Sequence, residues 1–118
     1  MTKILIVDDA AFIRVKMSQV LMKHNFIIAE AENGEEACAQ YEAESPDIVI
    51  MDITMPIMNG ITAVKQIVEK DQNAKVIMLT NVDEQVIVMD AIRNGAVDYL
   101  IKPVQENKLI DCINKHLS

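Results

Sequence analysis

Short apolar runs alternate with longer segments of helical periodicity from one end of the chain to the other. The runs are mainly aliphatic and are bounded by polar segments, which is typical of strands. They comprise residues 4–7, 26–29, 48–51, 76–79 and 99–101. All except the second are apolar enough to predict strands that are buried on both faces of a parallel sheet.

The segments between the runs carry apolar residues at the spacing of one helix face. We expect the first helix to begin at Asp9 or Ala10 and to span about fifteen residues. The others are expected at about residues 34–44, 61–68, 83–94 and 106–117, with a polar connection over 69–75. Asn33, followed three residues later by a glutamate, is a candidate N-cap, and Gly95 is a candidate left-handed cap.

This alternation predicts an α/β fold with a doubly wound, five-stranded parallel sheet. Right-handed crossovers between parallel strands place helices on both faces of the sheet. We predict the strand order 2-1-3-4-5 by analogy with known five-stranded doubly wound proteins, because the residues by themselves leave a few orders open. The second strand, which ends at Glu30, is expected at an edge.

Polar residues follow the other four runs at the point where each predicted strand ends. They are the pair Asp8 and Asp9, then Asp52, Thr80 and Lys102. Because the carboxyl ends of parallel strands line the ligand crevice, we expect these side chains to lie close together. Three neighbouring carboxylates repel one another, so we expect a bound cation to offset their charge. An all-oxygen set suits Mg²⁺, with Mn²⁺ as an alternative ion.

Such a site is suited to accepting a phosphoryl group, a transfer that depends mainly on positioning and charge neutralisation. Asp52 is the candidate nucleophile and would form an acyl phosphate. Asp9 is expected to bind the metal directly and Asp8 directly or through water. The Thr54 backbone carbonyl is a further ligand, from the irregular loop after Asp52. Lys102 supplies a positive charge.

Each of these residues also has a purely structural interpretation. Asp9 is suited to capping the first helix, Asp52 to opening a turn, Thr80 to capping a strand end and Lys102 to the surface. Their joint occurrence at strand ends favours the chemical interpretation, in which the Thr80 hydroxyl donates to phosphoryl oxygens.

Composition and charge narrow the classes of partner. The 118 residues, 51% hydrophobic, are expected to form a single domain over 1–118 with no attached effector module. A net charge of −7 argues against direct binding to nucleic acid or an anionic membrane. The absence of a signal-peptide pattern and of a long apolar stretch predicts a cytoplasmic protein without membrane insertion.

These motifs resemble those of response-regulator receiver domains of two-component signalling, over the whole chain. The matching motifs are Asp8-Asp9, Asp52 followed by Met55-Pro56 and Gly60, Thr80, and Lys102-Pro103. The spacing from the aspartate through the proline to the glycine is the most specific of them.

The resemblance implies that Asp52 takes its phosphoryl group from the phosphohistidine of a histidine kinase, with Mg²⁺. It implies that the domain catalyses only its own phosphorylation and dephosphorylation and is otherwise not an enzyme. Thr80 would move toward the phosphoryl group and Tyr99 would swing inward, changing the surface of the fourth helix, fifth strand and fifth helix. The Lys102-Pro103 peptide bond would be cis.

Three residues around the site are expected to tune the lifetime of the phosphorylated form: Thr54, Asn81 and Val82. Asn81 departs from the small residue that is usual after the threonine in this family. We expect Asn81→Ala to alter the rate of phosphorylation or dephosphorylation, and unchanged rates for both steps would exclude a role for the side chain.

The sequence indicates the phosphorylation chemistry more specifically than the downstream target of the protein. Residues 8–14 are similar to the opening of chemotaxis receivers, which bind the flagellar motor switch protein. The alternatives are a phosphorelay intermediate that serves a phosphotransfer protein, and the receiver of a transcription factor. A haloacid-dehalogenase-like phosphatase would carry its nucleophile on the first strand, and a flavodoxin-like carrier would need more than 3% aromatic residues.

Overall fold

A parallel five-stranded sheet forms the centre of the protein in the computed structural model, which describes residues 1–81 and 83–117. The strands are β1 (Lys3–Val7), β2 (Ile27–Ala31), β3 (Ile48–Asp52), β4 (Val76–Thr80) and β5 (Asp98–Ile101). The helices are α1 (Ala11–Lys23), α2 (Gly34–Glu44), α3 (Gly60–Lys70), α4 (Gln85–Arg93) and α5 (Glu106–Leu117). The order β2-β1-β3-β4-β5 confirms the predicted doubly wound topology, with β2 at an edge.

Alternating residues of the central strands build a separate hydrophobic layer on each face of the sheet. On one face Leu5, Val49 and Met78 pack with buried residues of α2, α3 and α4. On the other face Ile6 and Ile50 pack with buried residues of α1 and α5. Both faces of β1, β3 and β4 are therefore covered, as their continuous apolar sequences predict.

The prediction that residues 99–101 form a strand buried on both faces is wrong. Leu100 packs into the layer beneath α1 and α5, but Tyr99 and Ile101 on the opposite face remain 37% and 38% exposed. Because β5 is an edge strand, it has a neighbouring strand on one side only. Its apolar composition therefore contributes partly to the core and partly to the surface.

Several predicted helix ends are displaced by one or two residues. Helix α1 has 13 residues and its N-cap is Ala10, so Asp9 does not cap it. Helix α3 continues to Lys70, into the predicted polar connection. The Asn33 cap is confirmed by its side chain, which accepts a hydrogen bond from the Glu36 N–H at 2.8 Å. Gly95 follows α4 with a φ of 116°, as the predicted left-handed cap requires.

Gly60 allows the loop after β3 to fold back onto the end of that strand. Its N–H donates to the Ile53 carbonyl oxygen at 2.7 Å, and a Cβ atom added here would collide with the Asp52 carbonyl oxygen. A side chain at this position would therefore push the backbone of Asp52 away from α3. None of the described helices is long and apolar enough to cross a membrane.

We expect Gly60→Ala to lower the free energy of unfolding by about 1–3 kcal/mol, the usual cost of overpacking against rigid neighbours. Urea unfolding followed by circular dichroism measures this change. Thr62→Ala, an exposed change on the same helix, is the control and should have a much smaller effect. Equal midpoints for Gly60→Ala and the wild type would contradict the close approach to Asp52.

Candidate functional site

The carboxyl ends of β1 and β3 bring three aspartates to the same edge of the sheet. One carboxylate oxygen from each of Asp8, Asp9 and Asp52 lies within 4.8 Å of the other two. Asp8 and Asp52 are only 1% and 6% exposed, whereas Asp9 lies at the surface. The predicted grouping of the acids is therefore present, with two members desolvated and one accessible to solvent.

Lys102, which follows β5, faces the two buried acids. Its Nζ atom lies 3.1 Å from Asp52 Oδ2 and 3.7 Å from Asp8 Oδ2. The peptide bond between Lys102 and Pro103 is cis. The Lys102 N–H donates to the Thr80 carbonyl oxygen at 2.7 Å, which ties the segment after β5 to the end of β4.

The electrostatic balance at Asp52 is unfavourable for its charged form. Burial raises the pKa of the Asp52 carboxyl group above its usual value, while the hydrogen bond and charge of Lys102 act in the opposite direction. The charges of Asp8 and Asp9 add to the increase. One lysine thus compensates the acidic cluster only in part.

The donor set of this cluster fits a hard divalent cation. Asp8 Oδ1 accepts the Ala10 N–H at 2.9 Å, whereas Asp8 Oδ2 is buried without a hydrogen-bond partner in the described part of the chain. A buried carboxylate oxygen normally has such a partner. Asp8, Asp9 and Asp52 supply the oxygen ligands that Mg²⁺ prefers, so they are the residues that would hold it.

Arg14 supports this edge of the sheet through contacts between distant parts of the chain. Its Nη1 atom donates to the backbone carbonyl oxygen of Asp8 at 2.6 Å, and its Nε atom donates to Glu30 Oε1 at 3.0 Å. The guanidinium group therefore joins the end of β1 to the neighbouring edge strand. No pattern in the sequence indicated this role for an arginine on a helix surface.

Thr80 is fully buried at the end of β4, and its hydroxyl faces a glutamate that no motif in the sequence singled out. The Thr80 Oγ1 atom is 3.2 Å from the Asn81 carbonyl oxygen and 3.3 Å from Glu84 Oε1. Glu84 Oε1 also accepts the Asn81 N–H at 2.7 Å, and Glu84 Oε2 accepts the Thr54 hydroxyl at 2.9 Å. Glu84 is therefore part of the site.

These contacts hold the Glu84 carboxylate in its charged form. The hydrogen bond from the Asn81 N–H lowers the pKa of Glu84 most strongly, while desolvation opposes it. The hydroxyls of Thr54 and Thr80 and the charge of Lys102 lower the pKa further. The sequence offered only an acidic residue near a helix start, which is usually interpreted as a partner of the helix dipole.

The remaining predicted residues occupy different positions around the crevice. Thr54 and Asn81 are exposed at its mouth, and Tyr99 lies partly exposed on β5. Val82, expected to tune rates, lies outside the described residues.

A second cluster of ionisable groups lies between the start of β5 and α5. Asp98 Oδ2 is 2.8 Å from His116 Nε2, 3.8 Å from Lys115 Nζ and 3.6 Å from Cys112 Sγ. Burial and the neighbouring Asp98 raise the pKa of the Cys112 thiol to about 12, so it is protonated at neutral pH. Burial tends to raise the pKa of Asp98, but the hydrogen bond from His116 and others lower it overall.

Comparison with known proteins adds an independent observation. The profile of the response regulator receiver domain matches residues 4–114. The chain is 49% identical to the chemotaxis protein CheY of Bacillus subtilis over 117 residues, which cover 98% of both chains. It is 46% identical to the chemotaxis protein CheY of Thermotoga maritima over 114 residues, which cover 96% of this chain and 95% of that protein.

Solved structures have the same fold. The complex of CheX, CheY, BeF₃ and Mg²⁺ from Borrelia burgdorferi contains a chain that is 35% identical, with a TM-score of 0.92 over 99% of this chain and 90% of that one. Chemotaxis protein CheY4 of Vibrio cholerae is 28% identical, with a TM-score of 0.92 over 99% of both chains.

Proposed function

The chain belongs to the response regulator receiver domain family and is homologous to CheY chemotaxis regulators, and from this we propose a phosphorylation-dependent switch whose acceptor is Asp52. The observation that carries the proposal is the position of Asp52. Its carboxylate is buried at the end of β3, 3.1 Å from Lys102 and within 4.8 Å of oxygens from Asp8 and Asp9. These surroundings suit a rigid nucleophile at a site that can bind further charge.

In the proposed reaction an Asp52 carboxylate oxygen forms a bond to phosphorus, and the bond from phosphorus to the imidazole nitrogen of a kinase phosphohistidine breaks. The electron pair of that bond stays with the imidazole, and Asp52 becomes phosphoaspartate. Mg²⁺ bound by Asp8, Asp9, Asp52 and the Thr54 carbonyl would neutralise charge on the transferring oxygens. Lys102 remains beside the acceptor and supplies a positive charge to the new phosphoryl group.

Reset of the switch is proposed to be hydrolysis of the acyl phosphate within the same site. We propose that the self-catalysed gain and loss of this group is the only chemistry that the domain performs. Thr54, Asn81 and Val82 are proposed to tune the lifetime of phosphoaspartate, and Thr54 and Asn81 are exposed at the mouth of the crevice.

The proposed output surface is the face formed by α4, β5 and α5. It carries a group of exposed apolar side chains: Val86, Ile87, Met89, Ile92, Val97, Tyr99 and Ile101. Exposed apolar side chains on elements of one face are typical of a protein-binding site. Reorientation of Thr80 and Tyr99 on phosphorylation would change it.

The proposed partners follow from the relatives. A histidine kinase would supply the phosphoryl group, and the target would be a flagellar motor switch protein or, in a phosphorelay, a phosphotransfer protein. The homologue from Borrelia burgdorferi was solved in complex with CheX, which adds a protein of that kind as a candidate partner. We propose that the protein acts in the cytoplasm as a single receiver domain over residues 1–118.

The test is incubation with a small phosphodonor such as acetyl phosphate and Mg²⁺, followed by intact-mass measurement. We expect the mass of one phosphoryl group to be added in the presence of Mg²⁺ and not with excess EDTA. Hydroxylamine should remove the group, because it cleaves acyl phosphates and leaves phosphoserine intact. If the protein gains no mass with Mg²⁺, or a mass that hydroxylamine leaves unchanged, the proposal is wrong.

A further inference from the structure

Glu84 occupies hydrogen-bond donors that surround the mouth of the acceptor site. Its two oxygens accept from the Asn81 N–H at 2.7 Å and from the Thr54 hydroxyl at 2.9 Å, with the Thr80 hydroxyl 3.3 Å away. These donors come from the loop after β3 and from the end of β4, the two segments that border Asp52. A single carboxylate thus connects both walls of the site.

Capping of α4 does not explain the position of the Glu84 side chain. Glu84 is the N-cap residue of α4, yet within the described residues its side chain makes no hydrogen bond to the first N–H groups of that helix. Its hydrogen bonds point backward along the chain, to Asn81 and Thr80, and across to Thr54. The side chain therefore serves the acceptor site and not the helix that it precedes.

A phosphoryl group on Asp52 and the carboxylate of Glu84 would compete for the same neighbours. A phosphoryl group carries about −1.5 to −2 charge and three acceptor oxygens. Lys102 lies 3.1 Å from Asp52, and its charge makes the smallest of the contributions that lower the pKa of Glu84, so the competition is mainly for hydrogen-bond donors. The Thr80 hydroxyl has a single proton, which cannot be donated to Glu84 and to a phosphoryl oxygen together.

We propose that Glu84 is a positioning residue that holds Thr80, Asn81 and Thr54 in the unphosphorylated arrangement and must be displaced when Asp52 accepts a phosphoryl group. This inference rests on the function proposed above. Displacement separates the carboxylate from both walls of the crevice. Because Glu84 immediately precedes α4, we expect its displacement also to shift the start of that helix, where the proposed output surface begins.

The inference predicts that Glu84→Gln binds the phosphoryl mimic beryllium fluoride about tenfold more tightly than the wild type at saturating Mg²⁺. The gain corresponds to the loss of one charged competitor for hydrogen bonds. Isothermal titration calorimetry measures this affinity. Saturating Mg²⁺ separates the effect from any change in metal binding.

Asp83→Asn is the matched control, because it removes one negative charge from the neighbouring exposed residue. It should leave the beryllium fluoride affinity within about twofold of the wild type, as expected for a screened surface charge. Glu84→Asp is a second variant that keeps the charge but shortens the side chain, and it should also bind more tightly. It keeps the inference testable if Glu84→Gln does not fold.

The Asn81 amide proton reports directly on the hydrogen bond. In nuclear magnetic resonance spectra of the unphosphorylated protein we expect it at high chemical shift, moving upfield in Glu84→Gln and not in Asp83→Asn. An unmoved Asn81 resonance, or affinities in Glu84→Gln that equal or fall below those of the wild type, would overturn the inference. Equal tightening by Asp83→Asn would also overturn it, since general charge would then explain the gain.

If the proposed function itself is wrong, the result differs from the one expected when only the inference about Glu84 is wrong. In that case the wild type itself binds no beryllium fluoride and gains no phosphoryl group, whatever residue occupies position 84. If the wild type binds and only the effect of Glu84 is missing, the acceptor role of Asp52 stands and the displacement of Glu84 is excluded.

Discussion

Asp52→Asn is expected to abolish phosphoryl uptake and, in the same protein without metal, to raise the free energy of unfolding. The first effect follows because the amide is a poor nucleophile for forming an acyl phosphate. The second follows because burial and the neighbouring aspartates raise the pKa of Asp52, so the folded state disfavours its charged form. A neutral side chain of the same shape avoids this cost. We therefore expect the free energy of unfolding to rise by on the order of 1 kcal/mol.

The stabilisation by Asp52→Asn should depend on pH in a defined direction. The folded-state pKa of Asp52 is raised above its ordinary value of 3.8, so its ionisation destabilises the fold at neutral pH. As pH falls through the raised pKa toward 3.8, the wild-type carboxyl becomes protonated and the cost disappears. The difference between the variant and the wild type is therefore largest near pH 7 and shrinks in acid.

Intact-mass analysis after acetyl phosphate treatment and urea unfolding at several pH values measure these two effects. Asp111→Asn, an exposed change on α5, is the control for both. It should take up phosphoryl groups like the wild type and show no comparable stabilisation. If Asp52→Asn takes up as many phosphoryl groups as the wild type, the acceptor is another residue.

Lys102→Met should slow phosphoryl uptake by about 100-fold, the usual effect of removing one preorganised charge from a reacting centre. Methionine keeps much of the length of the side chain but removes its charge and its N–H donors. The Nζ atom lies 3.1 Å from Asp52 and 3.7 Å from Asp8, so both buried carboxylates lose a positive neighbour. We also expect a loss of about 1–3 kcal/mol in stability at neutral pH, less than for a fully buried pair because Lys102 is partly exposed.

A double-mutant cycle separates the interaction of Lys102 with Asp52 from other effects of the substitution. Asp52→Asn should stabilise the Lys102→Met protein more than it stabilises the wild type, because the carboxylate is then without its lysine. Lys65→Met, at an exposed position on α3, is the control and should alter neither uptake nor stability. Additive stabilities in the cycle would contradict a direct interaction at 3.1 Å.

Much of this site could be predicted because its chemistry lies at the ends of strands. An aliphatic run of four or five residues specifies a buried strand through its own composition, and the next residue is then fixed at one edge of the sheet. Asp8, Asp52 and Thr80 are of this kind, and Lys102 follows the shorter run 99–101; the structure has each of them at or directly after a strand end. The order of the strands was confirmed, but it came from known proteins and not from the residues.

Glu84 could not be predicted in the same way. It belongs to a short irregular segment between β4 and α4, where no period of two or 3.6 assigns a direction to a side chain. Its partners Thr54 and Thr80 are 30 and 4 residues away in the chain. Only the packing of β3 against β4 brings the two threonines to the same side of the carboxylate.

The exposure of β5 likewise separates what the local sequence determines from what the tertiary structure determines. Apolar residues at 99–101 indicated a strand, and the strand is present, but composition does not specify whether a strand has one neighbour or two. Local pattern alone determined which segments become strands and helices and which polar groups end them, because these properties depend on neighbouring residues. The tertiary structure decided which hydroxyl, amide and carboxylate meet at the mouth of the crevice and which apolar face stays open, because both depend on distances between segments far apart in the chain.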